Sequence, residues 1–280
     1  MRVFYKIAPL RSYLDRKADD GKSVGFVPTM GALHEAHLSL IEYSANDNDI
    51  TTASIFVNPK QFNNPADLEH YPRMLDKDLK LLQEKGCDVV FAPSVEEMYP
   101  EPVLKEYDFG QLDKVMEGKF RPGHFNGVAI VVKRLFDIIK PDKAYFGKKD
   151  FQQLTIIQEL VRIEKLPIEI IPCPTLREPD GLAMSSRNIR LTESQRAVAA
   201  GIYATLQDVK KELNHKSIDD INKLVSDRIS SIPEMKLEYF EIVDSHTLMP
   251  ISSKQDCHQC IACIAVYLGE IRLIDNMMLN

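Results

Sequence analysis

His34 and His37 stand three residues apart in "VPTMGALHEAHLSL", residues 27–40. An apolar run leads into a Pro-Thr-Met-Gly turn, and helix-forming residues follow it. Side chains three positions apart leave the same side of a helical turn, so both imidazoles would project together if a helix begins near His34. A helix N-terminus carries N–H groups without intrahelical partners and a partial positive charge, which makes a phosphate its natural guest. Two imidazoles beside it could hold phosphate oxygens and stabilise charge developing during displacement at phosphorus. A cap or a solvated surface group is the plainer reading for either histidine alone. The metal alternative is weaker, because "HEAH" lacks the His-Glu-x-x-His spacing of a helical zinc site.

Three further groups of polar residues bear on this chemistry. In "FVNPKQFNNPADLEHYPR" (residues 56–73), Asn58 and Gln61 follow an apolar run. In "YFGKKDFQQL" (residues 145–154), Gly147 marks a turn, Lys149 can reach a phosphate as a point charge, and Asp150 can accept from a ribose hydroxyl. Gln153 lies four residues beyond Lys149, on the same helical face. "GLAMSSRN" (residues 181–188) is a small, hydroxyl-rich loop in which Arg187 could clamp a triphosphate. Each has a bland counterpart: a turn amide, a solvated helix start, an interdomain linker. Arg121 and His124 in "RPGHFNGV" either face a substrate or fix their own loop.

The elements that must position these residues alternate in type. Strands are expected at 23–29, 50–57, 87–93, 143–147 and 168–175, with helices at 37–48, 74–86, 127–140 and 151–166. That order predicts an α/β fold, a Rossmann-like parallel sheet with helices on both faces. The polar groups then fall at the carboxyl ends of the strands, where open α/β sheets bind ligands. Beyond residue 175 the pattern changes to helices at 192–213 and 218–229 and two β-like segments, 237–244 and 260–275. This division predicts a first domain over 1–175 and a smaller α+β C-terminal domain over 176–280.

Composition narrows the class. At 280 residues, 44% hydrophobic and 27% charged, the chain reads as an ordinary globular protein of one large or two modest domains. A net charge of −6 argues against a nucleic-acid partner. The longest apolar runs are too short to cross a bilayer, and the N-terminus has no secretory signal pattern, so a cytoplasmic location is expected.

Taken together, "PTMGALHEAHLSL", "VNPKQF", "RPGHFNGV", "FGKKDFQQL", "LREPDGLAMSSRN" and "RLIDN" resemble, in order, the signatures of the pantothenate synthetases (pantoate–β-alanine ligases). This family belongs to a nucleotidyltransferase superfamily related to class I aminoacyl-tRNA synthetases. The resemblance spans nearly the whole chain. It implies ATP-dependent condensation of D-pantoate with β-alanine through a pantoyl adenylate, with release of pyrophosphate and AMP. ATP would enter as a substrate with Mg²⁺, held mainly by phosphates and water, and a homodimer would form.

The matched positions imply roles. His37, His34, Lys149 and Arg187 would be catalytic. Met30, Gly31, Ala32, Leu33, Glu35, Ala36, Gly147, Lys148, Asp150, Leu176, Met184, Ser185 and Ser186 would join them in binding ATP. Gln61 would contact pantoate and β-alanine, and Gln153 pantoate; no metal ligand is assigned, Asp76 and Asp78 included. Two positions depart from the family pattern: Ala36 stands where a glycine separates the histidines, and Lys148 where glutamate is common.

Cys257, Cys260 and Cys263, with His258, raise a rival reading as a metal-stabilised interaction module. The triplet lacks a convincing fourth ligand, and Cys263 reads as a small buried apolar residue. Five cysteines do not resemble a secreted disulfide framework. Among enzymes, the alternative is a nucleotidyltransferase that moves a nucleotide onto another acceptor; the paired glutamines argue against it.

Overall fold

The computed structural model describes residues 1–62 and 68–279, so residues 63–67 of the "VNPKQF" neighbourhood lie outside the described residues. The chain divides into two compact units. One comprises Met1–Phe109, Arg121–Lys148 and Gln153–Pro174; the other comprises Gly110–Phe120, Lys149–Gln152 and Thr175–Asn280. Two short segments from within the first 175 residues thus cluster with the C-terminal part of the chain.

The first unit holds a six-stranded, wholly parallel sheet. Its strands are β1 (Arg2–Phe4), β2 (Val24–Thr29), β3 (Ile50–Ile55), β4 (Val89–Phe91), β5 (Lys143–Gly147) and β6 (Glu169–Cys173), in spatial order β1-β4-β3-β2-β5-β6. The crossover helices are α1 (Ile7–Asp19), α2 (Glu35–Asp47), α3 (Leu75–Glu84), α4 (His124–Ile139) and α5 (Phe151–Ile163). The strand β1 and helix α1 were not expected from the sequence. A three-residue edge strand offers too little pattern to detect.

Both faces of the sheet are covered, as a parallel sheet requires. On one face Leu38 and Ile41 of α2 and Leu82 of α3 pack with Val27, Ala53, Val90 and Tyr145. On the other, Phe136 of α4 lies edge-on to Phe26 of β2 at 6.3 Å and to Phe146 of β5 at 6.5 Å. Arg11 of α1 donates to the carbonyls of Ile138 and Ile139 at 2.8 and 2.9 Å, satisfying acceptors that the end of α4 leaves open.

The second unit is built on an antiparallel sheet of β7 (Met235–Asp244), β8 (Cys260–Leu268) and β9 (Ile271–Met278). The single β-like segment expected at 260–275 is a hairpin that reverses at Gly269 and Glu270. Likewise, the helix expected over 192–213 is two, α6 (Glu193–Ala199) and α7 (Gly201–Glu212), followed by α8 (Ile218–Ser230). The break falls where glycine, a poor helix former, enters the run. One face of the sheet packs against these helices through Leu206, Val225, Ile264 and Leu273.

The opposite face carries a short helix, Met116–Phe120. Glu117 of this helix accepts from Tyr239 at 2.8 Å and from Arg272 at 2.7 and 2.8 Å. Gln152 of α5 joins the same cluster: its Oε1 accepts from the Glu117 amide, and its Nε2 donates to the carbonyls of Leu112 and Val115. These bonds explain why 110–120 and 149–152 belong to this unit.

Two of the clustered cysteines, Cys257 and Cys260, are joined as a disulfide, their Cα atoms 6.0 Å apart, within the range that such a bond spans. Cys263 is buried and unbridged. Among the described residues, no group of three His, Cys, Asp or Glu side chains is placed to hold a metal, and no helix is long and apolar enough to cross a membrane.

Candidate active site

In the first unit, strand order reverses between β2 and β5, which marks the carboxyl ends of these strands as the place where a ligand is held. The turn 30–34 leaves β2 there, and Gly147 ends β5, with Lys148 directly after it. The 30–34 turn is built tightly. Thr29 donates to the Ser54 carbonyl at 2.7 Å and accepts from the Gly31 amide at 3.2 Å. Ala32 adopts φ 52°, a conformation that costs a residue with a Cβ about 1–2 kcal/mol.

Asp78 of α3 holds this strained turn. Its two oxygens accept from the amides of Ala32 and Leu33, each at 2.9 Å, and the residue is 1% exposed. The N–H groups of residues 31–33 are therefore satisfied internally. They shape the turn, and side chains and the following helix end are left to meet a ligand. The sequence placed Asp78 near the site without a role; only its distant pairing reveals one.

His34 is the residue before α2, extended at φ −138° and ψ 173°. Its ring lies 4.1 Å from that of His37, centroid to centroid, so the structure brings the two imidazoles together. The His34 amide donates to Nδ1 of His37 at 3.4 Å. An accepting Nδ1 places the proton of a neutral ring on Nε2. Glu35, the first residue of α2, is exposed, and Ala36 is half-buried.

Gln61 ends a single turn of 3-10 helix, Pro59–Gln61. Its Nε2 donates to Sδ of Met30 at 3.0 Å, placing it against the turn that leads to the histidines. Asn58 anchors this segment from inside the protein, with no exposed surface. Its Nδ2 donates to Gln61 Oε1 at 3.2 Å and to the Gly127 carbonyl at 3.1 Å; its Oδ1 accepts from the Lys60 amide at 3.2 Å and from the Tyr99 hydroxyl at 2.9 Å. Burial pushes the Tyr99 phenol well up, which keeps it a donor.

Asn58 is thus a scaffold residue rather than an open rim amide. The same holds for His124, which is buried and pairs through Nδ1 with the Gln61 carbonyl at 2.8 Å. Through this bond His124 holds the segment that carries Gln61. Gly127 completes the device: a Cβ there would lie 2.2 Å from the Lys60 carbonyl oxygen, so only glycine lets α4 come this close. Gln153, on α5, is half-buried in this unit.

The second unit carries the remaining candidates. Lys149 faces Asp150, with Nζ 3.6 Å from its carboxylate. Leu176 and Met184 close a small hairpin, the Met184 amide donating to the Leu176 carbonyl at 3.0 Å. Leu176 is exposed, while Met184, Ser185, Ser186 and Arg187 are half-buried. Ser185 Oγ accepts from the Arg187 amide at 3.2 Å, and Asn188 donates to the Ala183 carbonyl at 3.1 Å, so the loop is internally braced.

Known proteins share this chain's sequence pattern and fold. The family model "Pantoate-beta-alanine ligase" matches residues 2–278. A pantothenate synthetase of Azobacteroides pseudotrichonymphae is 52% identical over 278 residues, covering 99% of both chains. One of Bacteroides thetaiotaomicron is 50% identical, covering 99% of this chain and 98% of its own. The crystal structure of the Thermus thermophilus pantothenate synthetase superposes with a TM-score of 0.93 at 42% identity, covering 100% of this chain and 99% of its own. A ligase from Francisella tularensis, solved with beta-gamma ATP and beta-alanine, superposes at 0.83 with 35% identity, covering 100% and 98%. The chain belongs to the pantoate–beta-alanine ligase family, enzymes that join pantoate to β-alanine through an amide bond.

Proposed function

We propose that this chain makes pantothenate in two steps and that the residues described above divide the work. In the first step a carboxylate oxygen of D-pantoate attacks the α-phosphorus of ATP, and pyrophosphate leaves. The product is a pantoyl adenylate, whose acyl carbon now carries a good leaving group. In the second step the uncharged amine of β-alanine attacks that carbon, AMP departs, and the amine gives up a proton as the amide forms.

His37, donating from Nε2, and His34 stabilise the charge that builds on the phosphate oxygens. Lys149 and Arg187, with the hydroxyls of Ser185 and Ser186, hold the triphosphate and then the pyrophosphate. Gly147, Lys148, Asp150, Leu176 and Met184 serve the adenosine end. Gln61 and Gln153 bind the hydroxyl and carboxylate oxygens of pantoate; an amide that loses such a partner is left unsatisfied, which favours a hydroxylated acid over a plain fatty acid. Gln61 also serves β-alanine.

Mg²⁺ enters with ATP as part of the substrate, bound to phosphate oxygens and water. The donors near the histidine turn fit this better than a protein cage, since both oxygens of Asp78 are engaged by backbone amides. A cytoplasmic homodimer belongs to the proposal on the strength of the family resemblance. Light scattering of the purified protein and cell fractionation test the two halves of that statement.

The observation that carries the reading is the His34–His37 pair, held 4.1 Å apart beside the strand-order reversal. The test is exchange of labelled pyrophosphate into ATP with D-pantoate present and β-alanine absent. Pantoate-dependent exchange is expected, and His37→Ala should slow it about 10²–10³-fold, the usual cost of one oxyanion donor. No exchange, with ATP still bound and no AMP formed on adding β-alanine, would favour a nucleotidyltransferase with another acceptor.

A further inference from the structure

We infer that Asp275 and Asn276, neighbours on β9, form a positioning pair that sets the two segments carrying the phosphate-binding residues of the second unit. Successive residues of a strand point to opposite faces of its sheet. Asp275 therefore serves one face and Asn276 the other. Leu273 and Met277, on the Asp275 side, pack in the cluster that contains Leu182. Ile274 and Met278, on the Asn276 side, pack in the cluster that contains Phe151.

On its face, Asp275 forms a paired bond with Arg177, at 2.6 Å to one guanidinium nitrogen and 3.0 Å to the other. The carboxylate side chain is 3% exposed. Arg177 in turn donates to the carbonyls of Gly181 at 3.1 Å and Asn276 at 3.3 Å, and its guanidinium lies 4.1 Å from the centre of the Tyr203 ring. It is the hub of the 176–184 hairpin. Gly181, at φ +95°, sits where a Cβ would lie 2.2 Å from that same ring. The hairpin leads directly into Ser185, Ser186 and Arg187, so fixing Arg177 fixes the approach of all three.

On the other face, Asn276 Nδ2 donates to the main-chain carbonyl of Lys149 at 2.7 Å. That bond pins the backbone from which the lysine side chain departs. Asp275 and Asn276 lie on the edge strand β9, yet both are buried, with hydrophobic clusters on both faces of the sheet, and such polar residues are expensive to bury unless paired. Apolar side chains would fill these positions at lower cost, and what the polar ones supply here is a common reference for Lys149 and the Arg187 loop.

This inference rests on the proposed role of Lys149 and Arg187 in holding ATP, and both can be tested separately in the full-length protein. We would measure MgATP affinity by calorimetry, KM for MgATP and for pantoate, and folding by circular dichroism, for Asn276→Ala, Lys149→Ala and the double variant. Asn276→Ala is expected to weaken MgATP about tenfold, the loss of one buried hydrogen bond, with the pantoate KM changed less than about twofold. In the Lys149→Ala background the same substitution should add almost nothing, because the two act as a unit.

Arg177→Lys keeps the charge beside Asp275 and gives up the paired geometry. It carries the test on the other face if Asn276→Ala does not fold, and should weaken MgATP by a similar factor. An equal loss from Asn276→Ala with and without Lys149, or lowered thermal midpoints in both variants with unchanged MgATP affinity, would overturn the positioning role. Undiminished MgATP affinity in Lys149→Ala alone would instead overturn the assignment of Lys149, and the inference with it.

Discussion

The carboxylate of Asp78 lies 2.9 Å from the amide nitrogen of Leu33, and its second oxygen meets the amide of Ala32 at the same distance. A buried anion inside the protein thus occupies the concave backbone turn that precedes the histidines. Replacing it with Asn puts an amide NH₂ against one of two N–H donors. We expect Asp78→Asn to cost about 2–3 kcal/mol of stability in denaturant unfolding, the scale of a lost charged hydrogen bond. Pantoate-dependent exchange should fall as well, and added Mg²⁺ should not restore it. Recovery at high Mg²⁺ would make Asp78 a metal ligand instead.

The Gln61 segment offers a second test. Asn58 spends all four of its hydrogen-bonding positions on this segment and its neighbours, and His124 holds the Gln61 carbonyl. Asn58→Ala leaves several buried groups unpaired, and a loss of about 2–4 kcal/mol is expected. If Gln61 binds pantoate, the conservative His124→Gln should raise the pantoate KM more than the MgATP KM. Equal changes in both constants would show that the loop is not specific to pantoate.

In the C-terminal unit, Glu117 is the counter-ion of Arg272, which also bonds Glu238 at 2.9 Å. The side chains of Arg272 and Glu117 are 18% and 9% exposed, so the pair is largely removed from water. Glu117→Ala leaves the largely buried guanidinium with Glu238 as its remaining carboxylate partner and should cost about 1.5–3 kcal/mol, the scale of lost hydrogen bonds to a charged group. Glu117→Gln keeps an acceptor for Tyr239 and should cost less. Equal midpoints for the two variants in thermal unfolding would show that Glu238 alone suffices for Arg272.

Burial pushes the thiol of Cys87 up to about 12 and that of Cys173 to about 11, from an ordinary value of 9.0. A thiol whose pKa rises on folding supports the native state fully below its ordinary pKa, and that support is lost as pH climbs through the folded value. Stability should therefore decline from about pH 9 upward. At pH 8.5–9, iodoacetamide should label neither thiol until denaturant is added. Rapid labelling of Cys87 in the folded protein at that pH would contradict its burial.

Local pattern carried much of this protein. The alternation of apolar strands with amphipathic helices specified a parallel α/β sheet, because five of its six strands announce themselves within a few residues; β1 and the helix α1 after it did not. The turn-and-histidine stretch at 30–37, "VNPKQF" and "FGKKD" could be placed at strand ends from the sequence for the same reason. Three things had no local signature. The first is Asp78, whose partners lie 45 and 46 residues away. The second is the burial of Asn58 and His124 as supports of the Gln61 segment, which depends on Tyr99, Gly127 and the Gln61 carbonyl meeting them in space. The third is the capture of 110–120 and 149–152 by the C-terminal sheet. Residue types and spacing report which chemistry a chain can do. Which side chain faces a ligand and which is consumed in holding another is decided by hydrogen bonds between distant segments, and those exist only once the chain has folded.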